Sequence, residues 1–203
     1  AGVGDNRGAM IDFDRAIAVD SNAISQAYSG RANVKIEQKQ YDSAAVDISR
    51  AIEKDQNNDE AYFYRANLKM IQKNYEGAVY DYISVLLINP DNIKTYAYRG
   101  LAEAYMKDTS AMNGDFRQAM KLSPKDANNF VLRAKARMFL RDYDAGLKDF
   151  ATAIELDPRN PYVWLSRGVA KLQENDHSGC QDLNKALELG SRDAPEEIRK
   201  YCK

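Results

Sequence analysis

Five arginines, Arg31, Arg65, Arg99, Arg133 and Arg167, stand thirty-four residues apart. A guanidinium grips carboxylates and other oxyanions with a planar two-pronged fork, which an ammonium does poorly. Matching carboxylates recur at the same period: Asp47, Asp81, Asp115 and Asp149, with Asp12 and Asp182 in equivalent places once two length irregularities are allowed for. Four residues after each arginine come Lys35, Lys69, Glu103, Arg137 and Lys171. Like charges one helical turn apart repel, so the pattern makes sense if the acidic column runs between them. Two readings of the arginines follow: a structural Arg–Asp ladder between helices, and ligand contact by one or two of them. The ladder accounts for the whole column and implies no catalysis.

The remaining chemistry is sparse. His177 is the only histidine, and nothing near it has metal-ligand spacing; it stands where the repeat has a turn aromatic. The eleven glycines form no phosphate-cradling loop in a strand–turn–helix context. Carboxylate pairs abound on helix surfaces, but none sits in a predicted apolar pocket that would shift its pKa. The sequence therefore points to no catalytic residue, no metal, no cofactor and no enzyme. Basic residues number 29 against 30 acidic, a formal charge of −1, so no global field draws nucleic acid or an anionic membrane. The longest strictly apolar run, Val85 to Ile88, is far too short to span a bilayer.

The elements that must position these residues are written as a repeat. Tyr28, Tyr62, Tyr96, Phe130 and Trp164 precede the arginines by three, and Ala32, Ala66, Gly100, Ala134 and Gly168 follow them. Tyr41, Tyr75 and Tyr143 share a later phase, and "NPDN", "SPKD" and "DPRN" close units. Within a unit the apolar spacing is helical: Ala45, Ile48 and Ile52 form one stripe, Leu147, Phe150 and Ile154 another. Turn signals at "KQY", "KNY" and "RDY" divide each unit into two helices.

On the residues in "YAYRG", "WLSRG", "YEGAVYDYISVLLINP" and "YDAGLKDFATAIELDP", the chain resembles the tetratricopeptide-repeat family over nearly its whole length. The family's usual Leu is Arg in all five units, as in an Arg-Gly subtype common among bacterial members. The resemblance implies an all-α solenoid of helix–turn–helix repeats coiled as a right-handed superhelix, with residues 1–203 as one domain. Its parts are a partial repeat (1–24, second helix), five repeats (25–58, 59–92, 93–126, 127–160, 161–191) and a C-terminal capping helix (192–203). The third repeat is degenerate, since "TSAMNGDF" lacks the column Tyr and Ala and sets Gly114 inside its second helix. A terminal cap is needed because each unit buries its face only against neighbours.

The closing segment also resembles that of many bacterial repeat proteins, some of them exported. For Cys180 and Cys202, the only cysteines, this leaves two readings open: a disulfide in an oxidising compartment, and two buried reduced thiols. The corresponding lean on localisation is bacterial extracytoplasmic, that is, periplasmic.

By the same resemblance, the first helices line a concave groove for a protein or peptide partner. The groove positions carried over are Phe63, Asn67, Met70, Lys94, Tyr98, Leu101, Tyr105, Val131, Lys135, Phe139, Tyr162 and Leu165. Aromatics beyond the packing column suit an extended or helical peptide. The family's carboxylate clamp for chaperone tails is broken here: Asn33 and Lys94 match, but Ser29 replaces a lysine and Tyr98 an arginine. The expected function is a non-catalytic protein-interaction scaffold. The rival expectations are a homo-oligomeric, self-associating structural module and the targeting or assembly arm of a larger protein, since the chain opens in mid-repeat.

Overall fold

The computed structural model describes residues 6–19 and 23–202, so the ends of the leading partial repeat and the last residue of the cap lie outside it. The described residues form twelve helices and no strand. After α1 (Asn6–Ala18) come five antiparallel pairs: α2 (Ile24–Glu37) with α3 (Tyr41–Lys54), α4 (Asp59–Ile71) with α5 (Tyr75–Ile88), α6 (Ile93–Tyr105) with α7 (Thr109–Leu122), α8 (Ala127–Phe139) with α9 (Tyr143–Leu156), and α10 (Pro161–Gln173) with α11 (Gly179–Glu188). The terminal helix is α12 (Ala194–Tyr201). The chain groups into two compact units, Ala1–Thr95 and Tyr96–Lys203.

Each pair turns by the same device. Lys39, Lys73, Lys107, Arg141 and Asn175, again thirty-four apart, have φ between 61° and 67°, the left-handed region. Around each, two backbone bonds close the helix end: Lys73 N–H donates to the Met70 carbonyl at 3.1 Å and Asn74 N–H to the Lys69 carbonyl at 2.9 Å, and the other four follow suit. This is the Schellman arrangement, which satisfies carbonyls the helix leaves orphaned. In the second and third pairs the residue after the turn then caps the next helix: Asn74 accepts from Gly77 N–H and Asp108 from Ala111 N–H. The chain thus reverses in a few residues without glycine, at a backbone cost of about 1 kcal/mol per turn.

In the first unit Ala32, Ala44, Ile48 and Leu68 form a buried cluster against which Ile36, Tyr41, Ala45, Ile52 and Tyr64 pack. In the second, Ala127, Val131, Ala134, Phe150, Ala153, Val163 and Ala170 do so, with Phe130, Met138, Ile154 and Leu156 around them. The small column after each arginine allows close helix approach. A Cβ on Gly168 would meet the Gly179 carbonyl at 2.9 Å, and one on Gly179 would meet the Gly168 carbonyl at 2.5 Å, so α10 and α11 touch backbone to backbone.

Helix α12 buries Ala194 and part-buries Ile198. Cys180 of α11 is bonded to Cys202, the residue closing α12, with the Cα atoms 5.8 Å apart.

Two outcomes follow. Lys73→Gly removes the left-handed penalty and raises stability by about 0.5–1 kcal/mol in denaturant titration; a fall would mean the lysine side chain supports the turn. Cys202→Ser opens a crosslink of sequence separation 22. It should cost about 3 kcal/mol and speed hydrogen exchange in α12 before the rest of the chain.

Candidate functional site

The ladder is built from the first helix of each pair reaching the second. Arg31 donates from Nε and Nη2 to both carboxylate oxygens of Asp47, at 2.7 and 2.6 Å. Arg65 grips Asp81 likewise at 2.9 and 2.8 Å, Arg99 grips Asp115 at 2.6 and 2.7 Å, Arg133 grips Asp149 at 2.8 and 2.6 Å, and Arg167 grips Asp182 at 2.8 and 2.6 Å. The cation one turn on joins the same carboxylate: Lys35 at 2.7 Å, Lys69 at 2.7 Å, Arg137 at 2.8 Å and Lys171 at 3.1 Å. All five aspartates are buried.

Burial alone would push Asp47 up, but hydrogen bonds from Arg31 and Lys35 outweigh it and hold the carboxyl below its ordinary value. Arg31, bonded to Asp47, is held well above the ordinary arginine value. The aromatic column covers the guanidiniums, with Arg65 5.1 Å from the Tyr62 ring centroid and Arg167 5.1 Å from that of Trp164. Aromatic and arginine three apart therefore form one stacked pair on the helix.

Two positions depart from the pattern. Asp12 is exposed and lies 4.0 Å from Arg15, while Asp14 of the same helix accepts from Arg31 Nη1 at 2.6 Å. The second is Glu103, which occupies the cation's place beside Asp115. It is buried, its Oε2 has no partner, and its Oε1 lies 3.7 Å from Arg99 Nε. Burial first, then the Asp115 charge, pushes its carboxyl up to about 8 against the partial relief of Arg99, with Asp108 adding to the rise.

The groove positions fall into two sets. In the second unit, Tyr105, Lys135, Phe139, Tyr162 and Leu165 line one open cavity of about 780 Å³ together with Val169. Tyr105 and Phe139 meet edge to face with centroids 4.8 Å apart. Lys135 donates to the Tyr162 hydroxyl at 2.7 Å and lies 4.6 Å from its ring centroid. Phe139 and Tyr162 remain 44% and 40% exposed. Met138, Arg141, Gln173 and Glu174 also line the cavity and were not anticipated, because they sit in the last turns of α8 and α10 and just beyond.

Elsewhere burial intervenes. Phe63, Leu101 and Val131 are buried at 5%, 7% and 0% exposure, so they stand behind the groove surface rather than on it. Phe63 packs on Tyr64 and Tyr82 with Lys94 over its face, and Asn67 accepts from the Tyr82 hydroxyl at 2.7 Å. Met70 is half-buried, as is Tyr98, whose phenol is pushed up by burial. Ser29 is wholly buried and donates to the Gln26 carbonyl at 3.1 Å. His177 is exposed in the turn before α11, and among the described residues no three or more His, Cys, Asp or Glu gather as a metal site. No described helix is long and apolar enough to cross a membrane.

The tetratricopeptide-repeat model matches residues 29–93 and 131–179, more than half of the chain. The chain belongs to the tetratricopeptide-repeat family. The stretch left between the two matches contains the degenerate third pair, α6–α7. No curated protein matches the chain in sequence. Among solved structures, TTC0263, a thermophilic TPR protein of Thermus thermophilus, aligns with TM-score 0.72 at 16% identity, covering 86% of this chain and 96% of that one. YrrB, a TPR protein with an unusual peptide-binding site, aligns with TM-score 0.56 at 19% identity over 93% of this chain and 97% of that one. The Cut9–Hcn1 assembly of APC/C aligns with TM-score 0.71 at 16% identity over 98% of this chain and 40% of that one. These likenesses show the fold, a tetratricopeptide solenoid; membership of the family suggests a protein-interaction scaffold.

Glu103 sets a pH signature on this scaffold. Its folded value lies above the ordinary 4.5, so the native state keeps a proton that the unfolded chain has released. The stability it contributes is complete below pH 4.5 and is lost as pH rises through 8. Glu103→Lys restores the cation of the other pairs. It should raise stability by about 1–3 kcal/mol at pH 8 and flatten the decline between about pH 4.5 and 8 in thermal melts. An equally steep decline in the variant would assign it to other groups.

Proposed function

We propose that this protein is a non-catalytic scaffold that binds a peptide or protein segment along the groove face of its first helices. The observation that carries the reading is the cavity lined by Tyr105, Phe139, Tyr162, Leu165 and Lys135, where large aromatics stay exposed although the helices are otherwise packed. Aromatic side chains offer much apolar area at low entropic cost, and they concentrate binding energy where they are accessible. The peptide-binding site of YrrB, a relative in fold, is in keeping with it. Within the same unit Tyr98 adds a secondary contact, with Leu101 and Val131 supporting from the core; in the other unit Asn67, Met70 and Lys94, backed by Phe63, form a candidate contact set of their own. The disulfide suits an oxidising compartment, in line with a periplasmic address.

The test uses a peptide selected against the protein from a random library. Phe139→Glu and Tyr162→Ala should each weaken it at least tenfold while the helical circular dichroism and melting temperature stay near wild type, because both side chains are exposed. Undiminished binding by both variants would move the site off this face.

A further inference from the structure

The repeat supplies its own controls: a residue type that breaks the pattern at several positions of one surface calls for a local explanation. On the outer face of α7 four positions depart together. Ser110 stands where the other pairs have Asp42, Glu76 and Asp144. Asn113 replaces Ala45, Val79 and Leu147; Gly114 replaces Val46, Tyr80 and Lys148; Arg117 replaces Ser49, Ile83 and Ala151. These residues lie at helical spacing on one stripe, from which an acid, an apolar side chain and a bulky residue are gone and to which an arginine is added. Nothing lies within 4 Å of the place a Cβ on Gly114 would take. On the facing helix α8, Arg137 stands where three other pairs have Lys35, Lys69 and Lys171.

The result is a second cavity, about 510 Å³, lined by Ser110, Asn113, Phe116, Arg117, Arg133 and Arg137. Its charge is unbalanced. Arg133 and Arg137 share the single carboxylate of Asp149. The spare nitrogen of Arg133, Nη1, meets the Met120 sulfur at 2.9 Å, whereas in Arg31 the corresponding nitrogen holds a second acid, Asp14. Arg117 is exposed and donates from Nε to a carbonyl of its own helix, Asn113, at 3.2 Å. Three guanidiniums against one carboxylate leave two positive charges at one pocket, with a hydroxyl and an amide beside them as further donors.

The geometry points to an oxyanion site between α7 and α8 that takes a phosphate group, held by Arg117 and Arg137 with Ser110 and Asn113. Two net positive charges match a phosphate near its dianionic form, and guanidinium forks match its oxygens in a way lysines would not. The phosphate is either the free ion or a phosphoryl group on a larger molecule, and both present the same oxygens to the pocket. This site is separate from the groove, and neither depends on the other.

The experiment titrates inorganic phosphate, O-phosphoserine and, at matched ionic strength, sodium chloride into the ¹⁵N-labelled full chain. Amide and Arg117 Nε resonances are followed in wild type, Arg117→Ala and Ser110→Asp. Arg117 lies outside the ladder, and an acid at position 110 is what three other pairs already carry, so both variants should melt as wild type does. Saturable shifts confined to α7 and α8 with phosphate, absent with chloride and weakened at least tenfold in both variants, establish the site. Tighter binding of O-phosphoserine than of phosphate identifies a phosphorylated partner, and the reverse order identifies the free ion; either supports the site. Shifts that chloride reproduces, or equal phosphate affinity in wild type and both variants, overturn it.

Discussion

Each helix pair hangs on a buried aspartate gripped by an arginine, and in four of the five pairs that aspartate is shared with a second cation. A carboxylate taken out of water is costly unless its oxygens are fully satisfied. Here the arginine fork uses both oxygens and the cation one turn later returns to one of them. The arrangement works only if the two helices of a pair meet at one register, since a slip of one residue would bury the carboxylate without its fork. The ladder therefore adds specificity more than net stability. The aromatic over each guanidinium and the small residue beside it belong to the same constraint: one covers the fork's outer face, the other lets the helices come close enough for it to reach.

The third pair shows what happens when the pattern is relaxed. Glu103 replaces a cation, and burial beside Asp115 pushes its carboxyl up while the Arg99–Asp115 fork stays intact. In the same pair α7 gives up its apolar and acidic outer residues, and the family model finds no match there. Departures that weaken a scaffold and yet cluster on one helix are consistent with a surface shaped by something other than folding. On the groove face, by contrast, the departures are additions: aromatics beyond those that packing consumes.

Much of the architecture was legible in the linear pattern, for a physical reason. Helix periodicity, the Arg–Asp columns and the turn positions all follow from contacts between residues close in sequence, repeated at a fixed spacing. Those contacts recur in every pair, so each copy corroborates the others. The turns were legible as places, although their left-handed lysines were not, because lysine carries no preference for that conformation.

What only tertiary structure decided concerns residues whose fate depends on a neighbouring repeat. Phe63 and Phe139 look alike as groove aromatics, yet one is buried on Tyr64 and Tyr82 while the other stays open to solvent. Asp14 meets Arg31 across α1 and α2, a contact that the period does not give. The Cys180–Cys202 bond waits on how α12 folds back against α11, and the raised value of Glu103 on the depth at which the third pair buries it. By itself the sequence determined the family, the helix pairs and the ladder, since these rest on local repeats. Exposure, pairing across the cap and the charge at each pocket were left to packing, because burial is a property of the whole neighbourhood of a side chain and not of its spacing along the chain.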